Sequence, residues 1–133
     1  MDKADISLYI PVYNGEKSIR NCLDSIFNQT LMPKKILVIN DCSTDLTKNI
    51  LDEYKDKIEI IENSKNLGIS LTRDIAINHL KTDLIAAVDA DVELDKNWLK
   101  IIYESLNKND ATWVCGKMYE KYTNNHCNLW RSI

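Results

Sequence analysis

Leu84-Ile-Ala-Ala-Val-Asp-Ala-Asp-Val-Glu-Leu94 is the stretch of sequence that indicates the fold. It begins with an apolar run, Leu84 to Val88, of the length typical of a strand that is buried on both faces of a parallel sheet. Two carboxylates, Asp89 and Asp91, follow directly. Because buried charges are costly and close like charges repel, such a pair needs a partner. Mg²⁺ and Mn²⁺ bind one or two carboxylates together with phosphate oxygens, so the stretch predicts a metal-assisted phosphate site at a strand end.

A structural alternative exists for this pair, because an isolated Asp-x-Asp is short and common. In that interpretation the strand simply ends in an acidic turn, and Asp91 or Asp95 caps the helix that follows. The rest of the chain has to decide between the two.

Length and composition are those of an ordinary globular domain. The chain has 133 residues, of which 44% are hydrophobic and 28% charged, enough for one domain with its own core. The net charge of −3 and the lack of a basic block argue against nucleic-acid binding. No apolar run approaches the roughly 18 residues of a membrane span, and the polar segment Met1–Asp5 does not resemble a signal peptide. We therefore expect a cytoplasmic protein with no transmembrane segment.

The cysteines are too far apart for a zinc or thioredoxin-like motif, since none forms a Cys-x-x-Cys pair. Cys22 falls on the apolar face of a predicted helix and Cys115 in a predicted strand, so both are interpreted as core residues in a reducing compartment. The adjacent pair His126-Cys127 makes a poor metal site.

Strands and helices alternate along the chain. Apolar runs predict five strands, at Ile6–Ile10 (ended by Pro11), Lys35–Ile39, Ile58–Ile61, Leu84–Val88 and Ala111–Cys115. Helical periodicity predicts four helices, marked by Ile19 to Phe27, Leu46 to Tyr54, Ser70 to Leu80 and Trp98 to Leu106. Ser43 or Thr44 is expected to cap the second helix, and Asp95 the fourth. This alternation predicts a three-layer α/β/α fold with a mostly parallel central sheet.

A polar cluster follows each of the first four predicted strands. These clusters are Tyr13-Asn14, Asp41 to Asp45, Asn63 to Gly68, and Asp89 to Asp91. Because the carboxyl ends of parallel strands lie at one edge of a sheet, the four loops should line a single crevice.

The same segments carry a resemblance to a known family. They are Ile10-Pro-Val-Tyr-Asn14, Val38-Ile-Asn-Asp-Cys-Ser-Thr-Asp45, Asn66-Leu-Gly-Ile-Ser-Leu-Thr-Arg73 and Val88-Asp-Ala-Asp91, with Trp98-Leu99 downstream. In this order and spacing they resemble the N-terminal, nucleotide-sugar-binding part of family 2 glycosyltransferases, from about Ile6 to Gly116. The resemblance implies the Rossmann-like GT-A fold of nucleotide-diphospho-sugar transferases.

The resemblance implies a role for each matched position. Pro11, Tyr13 and Asn14 correspond to the loop that holds the base and the ribose. Asp41 matches an acid that accepts a hydrogen bond from the base, usually uracil, and Arg73 matches an arginine beside the nucleotide.

The acidic pair is implied to bind a metal. Asp91 corresponds to the usual ligand of Mn²⁺ or Mg²⁺, and Asp89 lies nearer the ribose and is a second candidate ligand. Glu16 matches a position where some members have another polar contact.

Structural alternatives accompany these roles. Asn14 could only shape a turn, Asp41 could be a charge at a helix N-terminus, and Arg73 could be a solvated helix residue. Tyr13 could pack across its loop, and Asp45 is better interpreted as a helix cap than as a ligand contact. Cys42 departs from the family pattern, which usually has Gly after the second-strand acid.

The implied reaction is inverting transfer of a sugar from a nucleoside diphosphate sugar, with UDP favoured, to a glycan or lipid-linked acceptor. No residue after Gly116 matches the general base, so the catalytic residue is not identified. We therefore expect a truncated enzyme, a single donor domain over residues 1–133 without its acceptor half and inactive alone. It would act in the cytoplasm at the inner face of the membrane through its acceptor, and apolar surface near Trp113 and Trp130 would favour self-association.

Two other functions are considered. One is a non-catalytic module that binds a nucleotide sugar and acts with a partner chain. The other is a phospho-acceptor signalling domain, which needs an Asp after the third strand, where this chain has Glu62-Asn63.

Overall fold

The computed structural model describes residues 3–109 and 111–119. Its strands are β1 (Lys3–Val12), β2 (Met32–Asn40), β3 (Glu59–Glu62) and β4 (Leu84–Ala87). Its helices are α1 (Ile19–Phe27), α2 (Thr47–Asp52), α3 (Ile69–His79) and α4 (Trp98–Lys108). The chain divides into two compact units, Met1–Ile101 and Ile102–Ile133, and the whole sheet belongs to the first.

The four strands form one parallel sheet in the order β3-β2-β1-β4. β1 pairs with β2 along almost its full length, with one irregularity between Ala4 and Ser7. On its other side it pairs with β4 from Ile6 to Tyr9. The predicted parallel sheet is confirmed, and the loops that leave the carboxyl ends of all four strands therefore share one edge.

Alternating side chains of the sheet pack into two layers of core. Tyr9, Leu37 and Ile39 form a buried cluster with Ala76 and Leu80, which places α3 on one face.

The opposite face of the sheet presents Leu8, Ile10 and Val38, all fully buried. α1 contributes an equally buried set, namely Ile19, Cys22, Leu23 and Ile26. Each such aliphatic side chain contributes about 1.5–3 kcal/mol when it is buried. The apolar spacing that predicted α1 thus accounts for the third layer of the predicted α/β/α arrangement.

The prediction that Pro11 ends the first strand is wrong, since Pro11 lies inside β1 opposite Ile39. The reason is the direction of its backbone. The carbonyl of Val12 accepts a hydrogen bond from the N–H of Asp41, directly after β2. The carbonyl of Tyr9 accepts one from the N–H of Val88, directly after β4. Pro11 therefore faces the β4 side, where its missing N–H cannot donate to the carbonyl of Val88 and the pairing with β4 stops at Tyr9.

The predicted fifth strand at Ala111–Cys115 is wrong, since residues 111–119 contain no strand. Trp113 is 77% exposed and the Cys115 thiol is also exposed, so Cys115 is not a core residue. An apolar run alone does not form a strand unless a neighbour supplies backbone partners. Trp130 and the pair His126-Cys127 lie outside the described residues.

Two further expectations concern α2 and membrane spans. Leu46, expected on the buried side of α2, precedes the helix and is 62% exposed. Across residues 3–109 and 111–119, no helix has the length and apolar character needed to cross a membrane.

Gly15 lies at the tightest approach of the loop after β1. A Cβ atom placed there would lie 2.5 Å from Cγ2 of Val12, a buried and conformationally stiff β-branched side chain. The same Cβ would lie 3.9 Å from the Cβ of Ala90 in the acidic segment. The loop after β1 and the acidic segment therefore meet at Gly15.

Substitution Gly15→Ala should destabilise the protein by about 1–3 kcal/mol, because the added methyl overpacks the contact with Val12. The measurement is urea unfolding, with exposed Lys17→Ala as the matched control in the same loop. A Gly15→Ala protein as stable as the control would show that this approach is not tight.

Candidate functional site

The loop after β1 is locked to the loop after β2 through Asn14. Its backbone N–H donates to Ser43 Oγ at 2.9 Å, and its Oδ1 accepts from the N–H of Thr44 at 2.8 Å. Asn14 has a φ of 51°, in the left-handed region that Asn tolerates better than most residues. These contacts are the ones expected of a residue that shapes the turn. The side chain of the neighbouring Tyr13 is 51% exposed.

A second set of hydrogen bonds joins the same two loops. The N–H of Gly15 donates to Thr47 Oγ1 at 2.8 Å, and the N–H of Glu16 donates to Asp45 Oδ2 at 3.0 Å. In return the Glu16 carboxylate accepts from the N–H of Leu46 at 3.1 Å. Glu16 is thus engaged within the protein.

The N-cap residue of α2 is Leu46, and Asp45 directly before it bonds to the first residue of the helix. Oδ1 of Asp45 accepts from the Thr47 N–H at 3.0 Å, whereas Ser43 and Thr44, the predicted caps, are turned toward Asn14. Burial opposes ionisation of Asp45, but hydrogen bonds from Thr47 and Glu16 outweigh it and lower the pKa of this carboxyl.

Asp41 ties the end of β2 to the loop before α3. One carboxylate oxygen accepts from Asn63 Nδ2 at 2.7 Å and from the Leu67 N–H at 2.9 Å, and the other accepts from the Gly68 N–H at 2.8 Å. Asp41 is 4% exposed. Burial favours its neutral form, yet these hydrogen bonds prevail and lower the pKa of Asp41. The Thr72 side chain on α3 also interacts with this carboxylate and lowers its pKa.

Cys42 adopts a φ of 62°, the conformation for which Gly is preferred. The departure from the family pattern at this position is therefore a residue with a side chain in left-handed backbone. Such a conformation costs of order 1 kcal/mol, which the hydrogen bonds of its neighbours Asp41 and Ser43 offset.

Arg73 on α3 reaches the acidic segment. Its Nη2 donates to Asp89 Oδ1 at 2.8 Å in a half-exposed ion pair, while its buried Nε has no hydrogen-bond partner among the described residues. Both groups lie beside Tyr9, whose pKa is raised by burial, with Arg73 lowering it and Asp89 raising it. Arg73 is thus directed at the sheet edge and is not simply a solvated helix residue.

Asp91 is exposed, and within residues 3–109 and 111–119 no hydrogen bond or ion pair engages its carboxylate. The same part of the chain contains no group of three His, Cys, Asp or Glu side chains able to hold a metal. A protein-only metal cage is therefore absent from the described residues. Asp95, the other proposed cap, accepts from the Asn97 N–H at 2.8 Å just before α4.

Together these contacts close a ring of four loops. Loop one contacts loop two through Asn14, loop two contacts loop three through Asp41, α3 contacts loop four through Arg73, and loop four approaches loop one at Gly15. The predicted residues Tyr13, Asn14, Asp41, Arg73, Asp89 and Asp91 all lie on this ring. Pro11 is buried at the end of β1 beneath it.

Sequence reasoning missed the polar residues that support the ring. Buried Asn40 donates to Glu62 at 2.9 Å and accepts from the Ser43 N–H at 3.1 Å. The available signal was a polar residue at the end of an otherwise apolar strand run, Ile36 to Ile39.

Comparison with known proteins gives a family match. Residues 7–132 match the model described as Glycosyl transferase family 2. The chain is 32% identical over 117 residues to glycosyltransferase GlyA of Streptococcus pneumoniae, covering 86% of this chain and 17% of GlyA. It is 39% identical over 120 residues to the poly(ribitol-phosphate) beta-glucosyltransferase of Bacillus spizizenii, covering 85% of this chain and 19% of that relative. The chain therefore spans less than a fifth of the length of either relative.

Solved structures with a similar fold also exist. S. aureus TarS 1–349 in complex with UDP-GlcNAc has a TM-score of 0.71 at 24% identity, covering 92% of this chain and 39% of that chain. A mannosyltransferase from Pyrobaculum calidifontis in complex with GDP-Man and Mn²⁺ has a TM-score of 0.60 at 22% identity, covering 65% of this chain and 27% of that chain. At these identities the likeness concerns the fold.

The pKa of Asp41 makes a prediction about stability. Because it is lowered in the folded protein, the stability that the carboxylate contributes is present above the unfolded pKa of about 3.9 and is lost as the pH falls through the folded pKa. In Asp41→Asn the side-chain amide N–H groups would face the N–H groups that now donate to the carboxylate. The free energy of unfolding should therefore fall by about 1.5–3 kcal/mol at pH 7.

Urea unfolding at pH 7 and pH 3 measures this difference. The difference in the free energy of unfolding between Asp41→Asn and the parent protein should be smaller at pH 3 than at pH 7. Asp52→Asn, at an exposed position of α2, serves as the control. A gap of the same size at both pH values would contradict the role of the ionised form.

Proposed function

Because the chain belongs to glycosyl transferase family 2, we propose that it binds a nucleoside diphosphate sugar at the ring of four loops, as the donor part of an inverting glycosyltransferase. The α/β fold is that of GT-A glycosyltransferases such as TarS. The observation that carries the proposal is the exposed carboxylate of Asp91, which has no hydrogen bond or ion pair among the described residues although it lies on a ring whose loops are joined by polar contacts.

The base and ribose are proposed to lie over the first two loops. Tyr13 is the half-exposed aromatic residue there, and a ring of this kind stacks on a base without a polar partner. Asp41 is proposed to accept from a base N–H in addition to the backbone donors that it already binds. Uracil offers such a donor at N3, and the TarS complex with UDP-GlcNAc supports a UDP-sugar as the donor.

A divalent cation fits the donor set at Asp91. Mg²⁺ and Mn²⁺ keep several waters and bind through one or two carboxylates plus substrate phosphates, so the absence of a three-group cluster among the described residues agrees with this type of site. Asp91 would hold the ion, and Asp89 would assist it while paired with Arg73. When bound, the ion neutralises charge on the diphosphate leaving group. The Mn²⁺ complex of the Pyrobaculum mannosyltransferase supports the choice of metal.

The residues of the chain have a clear division of tasks in this proposal. Arg73 holds Asp89 in place, and its Nε, which has no partner among the described residues, is a further donor at the same edge. Asn14 and Asp41 fix the loops so that little ordering is needed when the nucleotide binds, which favours affinity.

The general base and the acceptor site are proposed to lie outside the four loops. The two relatives compared are more than five times as long as the part that matches, which leaves room for an acceptor region in proteins of this family. The acceptor is proposed to be a glycan or a lipid-linked molecule, met at the cytoplasmic face of the membrane. The 133 residues alone would bind the donor without transferring the sugar.

Substitution Asp91→Asn should abolish the gain in UDP affinity that Mn²⁺ provides, because the amide removes the charged ligand. The fold should be unaffected, since Asp91 is exposed and makes no hydrogen bond or ion pair in the part of the chain that the structure describes. Isothermal titration with UDP, with and without Mn²⁺, measures the gain. Asp83→Asn, an exposed carboxylate before the amino end of β4, is the matched control.

An Asp91→Asn protein that gains as much from Mn²⁺ as its parent would contradict the metal role. A protein that no longer folds would favour the purely structural interpretation of the Asp-x-Asp pair.

Base recognition is best tested on the ligand, because any change at Asp41 also releases the loop of Asn63 to Gly68. Methylation of N3 in UDP removes the donor proposed to reach Asp41, and a hydrogen bond to a charged group is worth about 1.5–3 kcal/mol. We expect the methylated nucleotide to bind at least about tenfold more weakly. 5-Methyl-UDP keeps the N3–H and serves as control, and equal affinities for the two methylated nucleotides would refute the contact.

A further inference from the structure

The Asp91 carboxylate sits on a backbone turn that α1 supports from below. The carbonyl of Asp89 accepts from the Val92 N–H at 3.1 Å, which closes a four-residue turn with Asp91 in its third position. The thiol of Cys22 donates to the same carbonyl at 3.6 Å. Cys22 is fully buried, so the support is reached only from α1.

Ser25, one turn further along α1, holds the next part of the segment. Its Oγ accepts from the Leu94 N–H at 3.0 Å and donates to the carbonyl of Cys22 at 2.7 Å. The hydroxyl thus joins the helix backbone to the chain that follows the acidic pair.

Gln29, just beyond the end of α1, holds the far end of the segment. Its Nε2 donates to the carbonyl of Asp95 at 2.7 Å and to that of Ser25 at 3.2 Å, and its Oε1 accepts from the Leu99 N–H at 2.9 Å. Gln29 is 2% exposed, so this buried amide is satisfied almost entirely by the segment that it supports.

Cys22, Ser25 and Gln29 are spaced three and four residues apart and form one polar stripe along α1 and its end. We propose that this stripe is a positioning device that fixes the backbone of residues 89–99 and thereby the Asp91 carboxylate. The inference rests on the proposed function, in which Asp91 holds a divalent cation. The exposed Asp91 side chain has no hydrogen bond or ion pair in the described residues, so its place is set by this backbone.

Ser25→Ala and Gln29→Met test the stripe, each removing bonds to the segment without adding charge. Arg20→Gln is the matched control, since Arg20 also lies on α1 but pairs with Glu53 at 2.6 Å, away from the acidic segment. Ser25→Thr retains the Oγ acceptor and should behave like the parent protein.

Two measurements are made on each protein. Amide hydrogen exchange reports the Leu94 and Leu99 N–H groups directly, and we expect the Leu94 amide in Ser25→Ala and the Leu99 amide in Gln29→Met to exchange at least about tenfold faster. Titration of Mn²⁺ at saturating UDP, followed by the electron paramagnetic resonance signal of the free ion, should show affinity reduced about tenfold in both. UDP binding without metal should change less than about twofold, and Arg20→Gln should match the parent in every measurement.

The outcomes separate the two proposals. A parent protein that binds no Mn²⁺ in the presence of UDP would overturn the proposed function, and the positioning role with it. Unchanged Mn²⁺ affinity in variants whose amides exchange faster would overturn the positioning role alone. So would an equal loss of metal-free UDP binding, because that result indicates a general structural role. If Gln29→Met does not fold, the comparison of Ser25→Ala with Ser25→Thr decides.

Discussion

Parallel pairing of β1 with both of its neighbours is the constraint on which the rest of the structure depends. It requires every connection to cross over the sheet, so each strand is followed by a loop at the same edge. Polar residues that are distant in sequence, such as Asn14 and Asp89, are thereby brought to one rim. The apolar strands and the apolar faces of α1 and α3 stabilise that pairing, and the pairing determines where the rim lies.

The rim itself is stabilised by polar groups that bind one another. Asp41, Asp45 and Glu16 are acids whose oxygens accept from backbone N–H groups of a neighbouring loop. Such charge-assisted bonds are stronger than neutral ones and fix loops that have few apolar contacts of their own. Asp91 differs from these acids, because its exposed carboxylate has no hydrogen bond or ion pair among the described residues.

The sequence was sufficient to predict the features that depend on local pattern. Apolar runs located β1 to β4, helical spacing located α1 and α3, and the parallel sheet followed from their alternation. It failed where the outcome depended on a distant partner. Ala111–Cys115 has the composition of a strand but no strand forms there, and Pro11 is tolerated because β4 ends early, which no local rule encodes.

The candidate site divides in the same way. The loops that carry it could be placed from the strand ends, and the residues proposed for the nucleotide do lie on them. Their internal partners could not be inferred, because a Ser or Gln on a helix has no periodic signature when it bonds to backbone 60 or more residues away. Cys22 was interpreted as plain core, and its bond to the carbonyl of Asp89 depends on how α1 packs against the turn.

The proline in β1 has a consequence for association between chains. Past Tyr9, no strand among the described residues pairs with the side of β1 that faces β4, and an unpaired strand margin normally invites another polypeptide to add to the sheet. Pro11 offers no donor at that margin, so an incoming segment would lose a bond where it tried to extend the pairing. A proline at this position therefore discourages the edge-to-edge pairing through which sheets aggregate.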